Sequence, residues 1–289
     1  MSIPREDLPV TERHDVYPAI DPQPHFDNQT YRDKVVLITG SSRGIGQEIA
    51  LFYAKSGAIV VLVARQQDTL DEVKNAIAKD VPAATIATFV ADVKNTKEVQ
   101  AAVEGAVEKF GKLDIVFANA GKGNEWKKPF TECDPDDWWS TMEVNVRGVY
   151  NAAHYSLPHL DKTGGYFIIT SSVGAQMRRP FGSAYELSKH TLGRLNEFIK
   201  IEHPQVKSMA VHPGGILTKL ADLVPEIHKY LVDTLQLPAA TMLQLTSGKY
   251  DWFSGRFVSA NWDLAEVEGK YKEKILAEEA LVSRLAIPA

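Results

Sequence analysis

The chain has 289 residues, of which 44% are hydrophobic and 24% charged, with a net charge of -5. This is the composition of an ordinary globular chain; it excludes disordered, collagen-like and disulfide-scaffold classes, and it supplies no basic field for nucleic acid or anionic lipid. The single cysteine, Cys133, allows neither an intramolecular disulfide nor a cysteine-based zinc site, which fits a reducing, cytoplasmic setting.

Residues 1–33 are polar and broken by Pro4, Pro9, Pro18, Pro22 and Pro24, so they are expected to form an extended arm with neither a helix nor a central strand. Residues 1–10 lack the apolar run of a signal peptide, and no later segment has the ~18 consecutive apolar residues of a membrane span. From Lys34 the texture changes. Short β-branched runs are predicted as strands at Val35–Thr39, Ile59–Ala64, Thr85–Val90, Ile115–Ala118, Tyr166–Thr170, Val206–Val211 and Phe257–Ala260. Helical periodicity falls between them at Ile45–Ser56, Asp68–Lys79, Thr96–Phe110, Pro135–Leu157 and Ala184–Ile201. Apolar strands alternating with helices predict an α/β fold, a doubly wound parallel sheet of seven strands in one domain over residues 34–262. Residues 219–247 interrupt the alternation with mixed apolar and helical character and are expected to form a lid. Residues 263–289, charged and bearing Leu and Ile, are expected to form a helical tail.

The first strand runs directly into Gly40-Ser41-Ser42-Arg43-Gly44-Ile45-Gly46 and then into a helix. Glycines between strand and helix permit a tight turn and let a pyrophosphate approach the backbone, while the helix start presents unpaired amides to it. The segment from Val35 to Arg65 has the ~30-residue length of a strand–helix–strand dinucleotide unit.

The spacing Thr39-Gly40-x-x-x-Gly44-x-Gly46 resembles the glycine motif of the short-chain dehydrogenase/reductase superfamily, and the resemblance extends over roughly Lys34 to Asn261. Asp92-Val93 resembles the family's adenine-contacting pair, and Asn119-Ala120-Gly121 its sheet-stabilising motif. Asn145, Ser172 and Tyr185-x-x-x-Lys189 match its catalytic residues, while His212-Pro213-Gly214-Gly215-Ile216-Leu217-Thr218 resembles its cofactor-closing segment. The resemblance implies a Rossmann fold, a nicotinamide cofactor held in part by Ser42, Pro213, Gly214, Ile216 and Thr218, and a homodimer or homotetramer. The second strand ends Val63-Ala64-Arg65, with no acid to bind the adenine ribose hydroxyls, and Arg65 and Arg43 offer positive charge for a 2′-phosphate. NADP(H) rather than NAD(H) is the expected cofactor.

The four-residue spacing of Tyr185 and Lys189 puts both on one helix face. A free tyrosine has a pKa near ~10, and the neighbouring ammonium, with the positive nicotinamide of the oxidised cofactor, is expected to stabilise tyrosinate and lower that pKa toward a useful range. The resemblance implies that Tyr185 exchanges a proton with the substrate oxygen and that Ser172 hydrogen-bonds that oxygen. It further implies that Lys189 holds the nicotinamide ribose and that Asn145 holds a water linked to Lys189. Strand alternation allows only one of Ser171 and Ser172 to face the cofactor, and spacing to Tyr185 selects Ser172. The eight histidines form no metal set. Trp126, Met177, Phe181, Leu220, Leu223, Val224, Leu231, Leu235 and Leu237 are candidates for an apolar substrate wall, with Arg178-Arg179 and Lys127-Lys128 at the same rim. The reading is an NADP-dependent oxidoreductase interconverting a carbonyl and an alcohol on a small hydrophobic substrate. A non-catalytic NADP(H) sensor or scaffold is the alternative. A nucleotide-sugar epimerase would need a larger carboxyl-terminal domain.

Overall fold

The chain is described by a computed structural model covering residues 7–285; the remaining residues of the expected arm and tail lie outside the described residues. Seven strands, β1 (Val35–Thr39), β2 (Ile59–Ala64), β3 (Ile86–Val90), β4 (Ile115–Ala118), β5 (Tyr166–Thr170), β6 (Lys207–His212) and β7 (Arg256–Ser259), pair in parallel in the order β3-β2-β1-β4-β5-β6-β7. The doubly wound sheet read from the sequence is therefore the fold, with three strands displaced by a residue at their starts.

The strands at the centre of the sheet are almost entirely apolar because both faces are covered, whereas β6 and β7 also carry Lys207, His212 and Arg256. Period-two alternation sends Val36, Ile38, Val60 and Leu62 into one buried cluster and Val35, Leu37, Val61 and Val63 into the other. Helices α2 (Gly44–Lys55) and α3 (Gln67–Asp80) cover the first cluster; α4 (Thr96–Phe110), α6 (Gly148–Thr163) and α7 (Ser183–Glu202) cover the second.

Several segments differ from expectation. The single helix expected over 135–157 is α5 (Pro135–Met142), a π-helical turn (Glu143–Arg147), and α6. Its apolar periodicity runs on through the turn, so no sequence signal marks the extra residue. The arm, expected to be extended, contains a 3-10 turn (Pro18–Ile20) and a short helix, α1 (Gln23–Asp27). Pro18 and Pro24 occupy the first turn of each, where the missing N–H costs nothing. Nor is the arm peripheral, because Tyr17, Ile20 and Tyr31 are buried in the core. The hydroxyl of Tyr17 donates to the Trp262 carbonyl (3.1 Å) and accepts from the Leu264 amide (2.8 Å). The hydroxyl of Tyr31 donates to the Leu243 carbonyl and shares a 2.8 Å hydrogen bond with Thr246 Oγ1.

The expected lid is shorter than 219–247. Residues 236–245 form α8 (Gln236–Leu245), whose Leu237, Ala240, Met242 and Leu243 are fully buried beside α2. Among the described residues the tail is helical over α9 (Leu264–Ala277), capped by Asp263, whose carboxylate accepts from the Ala265 and Glu266 amides.

Because Tyr31 joins the arm to α2 and α8, Tyr31→Ala is expected to lower the unfolding free energy by about 3–5 kcal/mol. Urea denaturation monitored by tryptophan fluorescence checks this; a loss below ~1 kcal/mol would mean that the arm is a surface appendage.

Candidate active site

After β1 the chain builds outward to β2 and β3, and β4 then starts the other half of the sheet on the opposite side of β1. The loops leaving β1 and β4 diverge there, and a crevice opens beyond the strand ends. A cavity of about 1240 Å3 occupies this place. That exceeds the ~300–1,000 Å3 of a site for one drug-sized ligand.

The glycine turn forms one wall. Gly40 (φ +65°) and Gly44 (φ +56°) adopt left-handed backbone. A Cβ on Gly40 would lie 2.8 Å from Ala120 Cα, and one on Gly46 would lie 2.5 Å from the Gly40 carbonyl oxygen. Gly40, Ser42, Gly44 and Ile45 line the cavity, whereas Gly46 serves the close packing of helix on turn. Arg43 is the N-cap of α2 and makes no side-chain cap, so no side-chain cap claims the first amides of that helix. Arg43 and Arg65 both border the cavity and are exposed; no hydrogen bond or ion pair engages either side chain among the described residues. Close backbone approach, free helix amides and two unpaired cations are what a phosphorylated dinucleotide requires, so the residues present fit one. Asp92 and Val93 line the far end, with Asp92 Oδ1 accepting from the Lys94 amide at 2.9 Å.

Asn119, at the end of β4, holds the floor. Its Nδ2 donates to the carbonyls of Thr39 (3.1 Å) and Gly40 (3.2 Å), and its Oδ1 accepts from Thr170 Oγ1 (3.2 Å). Ala120 and Gly121 follow it along the cavity wall.

The chemistry-bearing side chains meet beyond β5. Ser172 caps a 3-10 turn, its Oγ accepting from the Gly174 amide at 3.0 Å, so its hydroxyl proton remains free to donate. A Cβ on Gly174 would lie 3.3 Å from Ser172 Oγ and 3.6 Å from Tyr185 Cε1, so the two side chains adjoin. Lys189 is buried one turn along α7; its Nζ donates to the Thr170 carbonyl (2.7 Å) and lies 5.7 Å from the centre of the Tyr185 ring. Burial lowers the lysine from 10.5 to about 8. Tyr185 moves up. Burial dominates, and the Ser172 hydrogen bond and the Arg179 charge only partly offset it. Tyr185 is therefore a protonated donor at neutral pH.

Asn145 is fully buried and its amide is committed. Oδ1 accepts from the Lys122 amide (2.7 Å), while Nδ2 donates to the Lys122 carbonyl (2.9 Å) and to Ser188 Oγ (2.8 Å). Ser188 in turn donates to the Tyr185 carbonyl at 2.6 Å. The π-turn thus fastens the loop after β4 to the tyrosine helix. Asn145 Oδ1 and Lys189 Nζ share the space above Gly121, where a Cβ would be 3.5 Å from one and 3.7 Å from the other.

β5 ends at Thr170; Ser171 and Ser172 both belong to the cavity lining, and Ser171 Oγ is buried without a partner. His212 also borders the cavity, and burial pushes it down to about 4, keeping it neutral.

Pro213, Gly214, Ile216 and Thr218 face the glycine turn; a Cβ on Gly44 would lie 3.6 Å from Thr218 Cγ2. Leu220 and Leu223 lie against Gly123. Trp126, Met177, Leu220, Leu223, Leu231 and Leu235 line the cavity as expected, joined by Leu217, Ile227 and Tyr230. Phe181, Val224 and Leu237 do not line it, nor do Lys127, Lys128 and Arg178. Arg179 does: its guanidinium stacks 5.0 Å from the Trp126 ring centre and lies 3.5 Å from the buried Glu186 carboxylate. Nothing in the spacing of these residues marked Glu186 or Lys122 as part of the site. Among the described residues no three His, Cys, Asp or Glu side chains are grouped as a metal site.

A glycine turn at the sheet's switch point, facing a Ser–Tyr–Lys group, defines an oxidoreductase of the nicotinamide-dependent class. Residues 34–227 match the model of the short chain dehydrogenase family, and the chain belongs to the short-chain dehydrogenase/reductase family. It is 38% identical over 265 residues to "Short chain dehydrogenase mpl6" of Monascus purpureus, covering 88% of this chain and 89% of that one. Among solved structures it is similar to 7α-hydroxysteroid dehydrogenase complexed with NADH and 7-oxo glycochenodeoxycholic acid (27% identity, TM-score 0.74, covering 81% of this chain and 95% of that one). It is also similar to an alcohol dehydrogenase from the archaeon Thermococcus sibiricus complexed with 5-hydroxy-NADP (30% identity, TM-score 0.68, covering 74% of this chain and 92% of that one).

The buried charge of Lys189 opposes folding. Its folded pKa, about 8, lies below the unfolded value, so the unfolded chain binds more protons between the two and stability rises with pH from about 8 to about 10.4. Below that window the penalty is complete. Lys189→Met is expected to raise the unfolding free energy at pH 7 by about 1–3 kcal/mol and to remove this rise. Thermal unfolding across pH 7 to pH 10 measures both effects; a lower midpoint for Lys189→Met at pH 7 would contradict the assignment.

Proposed function

We propose that the protein is an NADP(H)-dependent oxidoreductase interconverting a ketone or aldehyde and the corresponding alcohol on a small hydrophobic substrate. The observation that carries the reading is the meeting of Ser172, Tyr185 and Lys189 on the wall opposite the glycine turn, within one cavity.

When bound, the reduced nicotinamide supplies a hydride. Gly40, Ser42, Gly44 and Ile45 with the α2 amides would bind its pyrophosphate, and Asp92 and Val93 its adenine. Arg65 and Arg43 would take the 2′-phosphate. Asn119, Ala120 and Gly121 would support the cofactor, and Pro213, Gly214, Ile216 and Thr218 would close over it. Tyr185 delivers the proton from its hydroxyl to the carbonyl oxygen; in the reverse direction it takes the alcohol proton. Ser172 donates to the same oxygen and positions it, a contribution worth roughly 10²–10³ in kcat at comparable sites. Lys189 would hold the nicotinamide ribose and, as an ammonium, would favour the tyrosinate when Tyr185 has given up its proton. Asn145 keeps the floor beneath Lys189 in place. The protonated Tyr185 hydroxyl is the form that donates in carbonyl reduction.

The apolar wall of Trp126, Leu220, Leu223 and Tyr230 suits a hydrophobic substrate. One structural neighbour is complexed with an NADP derivative and another with NADH, so the preference for NADP(H) rests on Arg65 and Arg43 in this chain. Tyr150 on α6 and Leu187, Phe198 and Ile201 on α7 are exposed apolar residues, consistent with a homodimer or homotetramer. No helix of the described residues is long and apolar enough to cross a membrane. A cytoplasmic location fits the unpaired Cys133.

Tyr185→Phe is expected to abolish NADPH oxidation across a panel of hydrophobic ketones and aldehydes while leaving NADPH binding within about twofold. Turnover near the native rate would overturn the mechanism, and binding without turnover by the native chain would favour a sensor. Arg65→Ala is expected to raise the KM for NADPH about tenfold or more, the worth of a charge-assisted hydrogen bond, and to leave that for NADH nearly unchanged. Steady-state kinetics with both cofactors decide this; a native preference for NADH would sink the NADP assignment.

A further inference from the structure

Asp233 lies in the loop before α8, outside every motif in the sequence, and its carboxylate is almost fully buried. Three different segments converge on it. Oδ2 accepts from the Gly215 amide (2.5 Å) and from Asn261 Nδ2 (2.9 Å), while Oδ1 pairs with His14 Nδ1 at 2.6 Å. The Asp233 amide closes the ring by donating to the Gly215 carbonyl at 3.0 Å. Gly214 has φ +103°, and a Cβ there would lie 2.7 Å from Asp233 Oδ2, so the closing segment is moulded on this carboxylate.

The amino-terminal arm is continuous with the node. The Thr234 amide donates to the His14 carbonyl (3.0 Å), and Asn261 Nδ2 reaches the Arg13 carbonyl (2.8 Å). His14 and Glu12 themselves border the cavity.

We propose that Asp233 and His14 are positioning residues for the cofactor: the arm, acting through this carboxylate, sets the closing segment in the place where it covers a bound dinucleotide. A loop held this way binds cofactor without first being ordered, so loosening it weakens binding while leaving the proton-transfer group of Ser172 and Tyr185 undisturbed. The inference rests on the proposed use of residues 213–218 in closing over NADP(H).

The test is cofactor affinity in the full chain, by NADPH fluorescence titration, together with KM and kcat for a ketone substrate. His14→Ala and Asp233→Asn are each expected to raise the NADPH dissociation constant and KM about fivefold to twentyfold, with kcat at saturating NADPH changed by less than twofold. His14→Asn, which can place an amide donor close to the position of Nδ1, is expected to restore most of the affinity. Unchanged affinity in both variants would overturn the proposal. So would parallel losses of kcat, affinity and thermal stability that His14→Asn does not repair, since these would mark a merely structural node. A native chain that binds neither NADPH nor NADH would instead overturn the proposed cofactor use, a result distinguishable from both.

Discussion

Asn119 answers a problem that every parallel sheet creates at its carboxyl edge. Where β1 and β4 end at the switch point, the carbonyls of Thr39 and Gly40 have run out of neighbouring strand, and no buried carbonyl is stable without a donor. One side-chain amide provides two donors and an acceptor; it satisfies both carbonyls and ties in Thr170 at the end of β5. Lys189 then hydrogen-bonds the Thr170 carbonyl, so the buried ammonium is located by the same strand ends that shape the glycine turn. Asn119, Thr170 and Lys189 thus join the glycine turn and the end of β5 in one hydrogen-bonded construction.

The two kinds of positive charge in the site are handled oppositely. Arg43 and Arg65 are exposed at the rim, where an unpaired guanidinium retains most of its hydration and costs little. Lys189 is in the interior, where an ammonium is expensive enough that burial brings its pKa down to about 8. A group held at such a cost in stability is anchored on the Thr170 carbonyl and set 5.7 Å from the centre of the Tyr185 ring. Arg179 supplies a further charge on the same tyrosine from the substrate side, with the buried Glu186 holding it in place.

Much of this was legible in the sequence because it depends on local rules. Strands buried on both faces are apolar runs, and a strand entering Gly40–Gly46 has few alternatives to a phosphate-type turn. Tyr185 and Lys189 share a face because a helix has 3.6 residues per turn. The features that escaped depend on partners far along the chain. The prolines of the arm signal a chain without helices, yet Tyr17 and Tyr31 are drawn into the core by β7, α8 and α9, some 210 to 250 residues later. Residues 236–245 resemble lid material because they are apolar between loops, and only their burial beside α2 shows them as core. Asp233 carries no local pattern at all, its role being set by Gly215, Asn261 and His14 together.

The π-helical turn at Glu143–Arg147 limits how this chain can change length. Each residue of a helix rotates the rest of that helix by about 100°. α5 and α6 are kept in their mutual orientation by the extra residue in the turn, with Asn145 directed inward at Lys122 and Ser188. Shortening the segment by one residue would permit a regular, intrinsically more comfortable helix, but it would swing either Asn145 or the whole apolar face of α6 out of register with the sheet. Insertions and deletions can be absorbed on the rim, in the loops around Trp126 or Tyr230. Between Met142 and Gly148 the chain has no such freedom, and the count of residues there is as constrained as their identity.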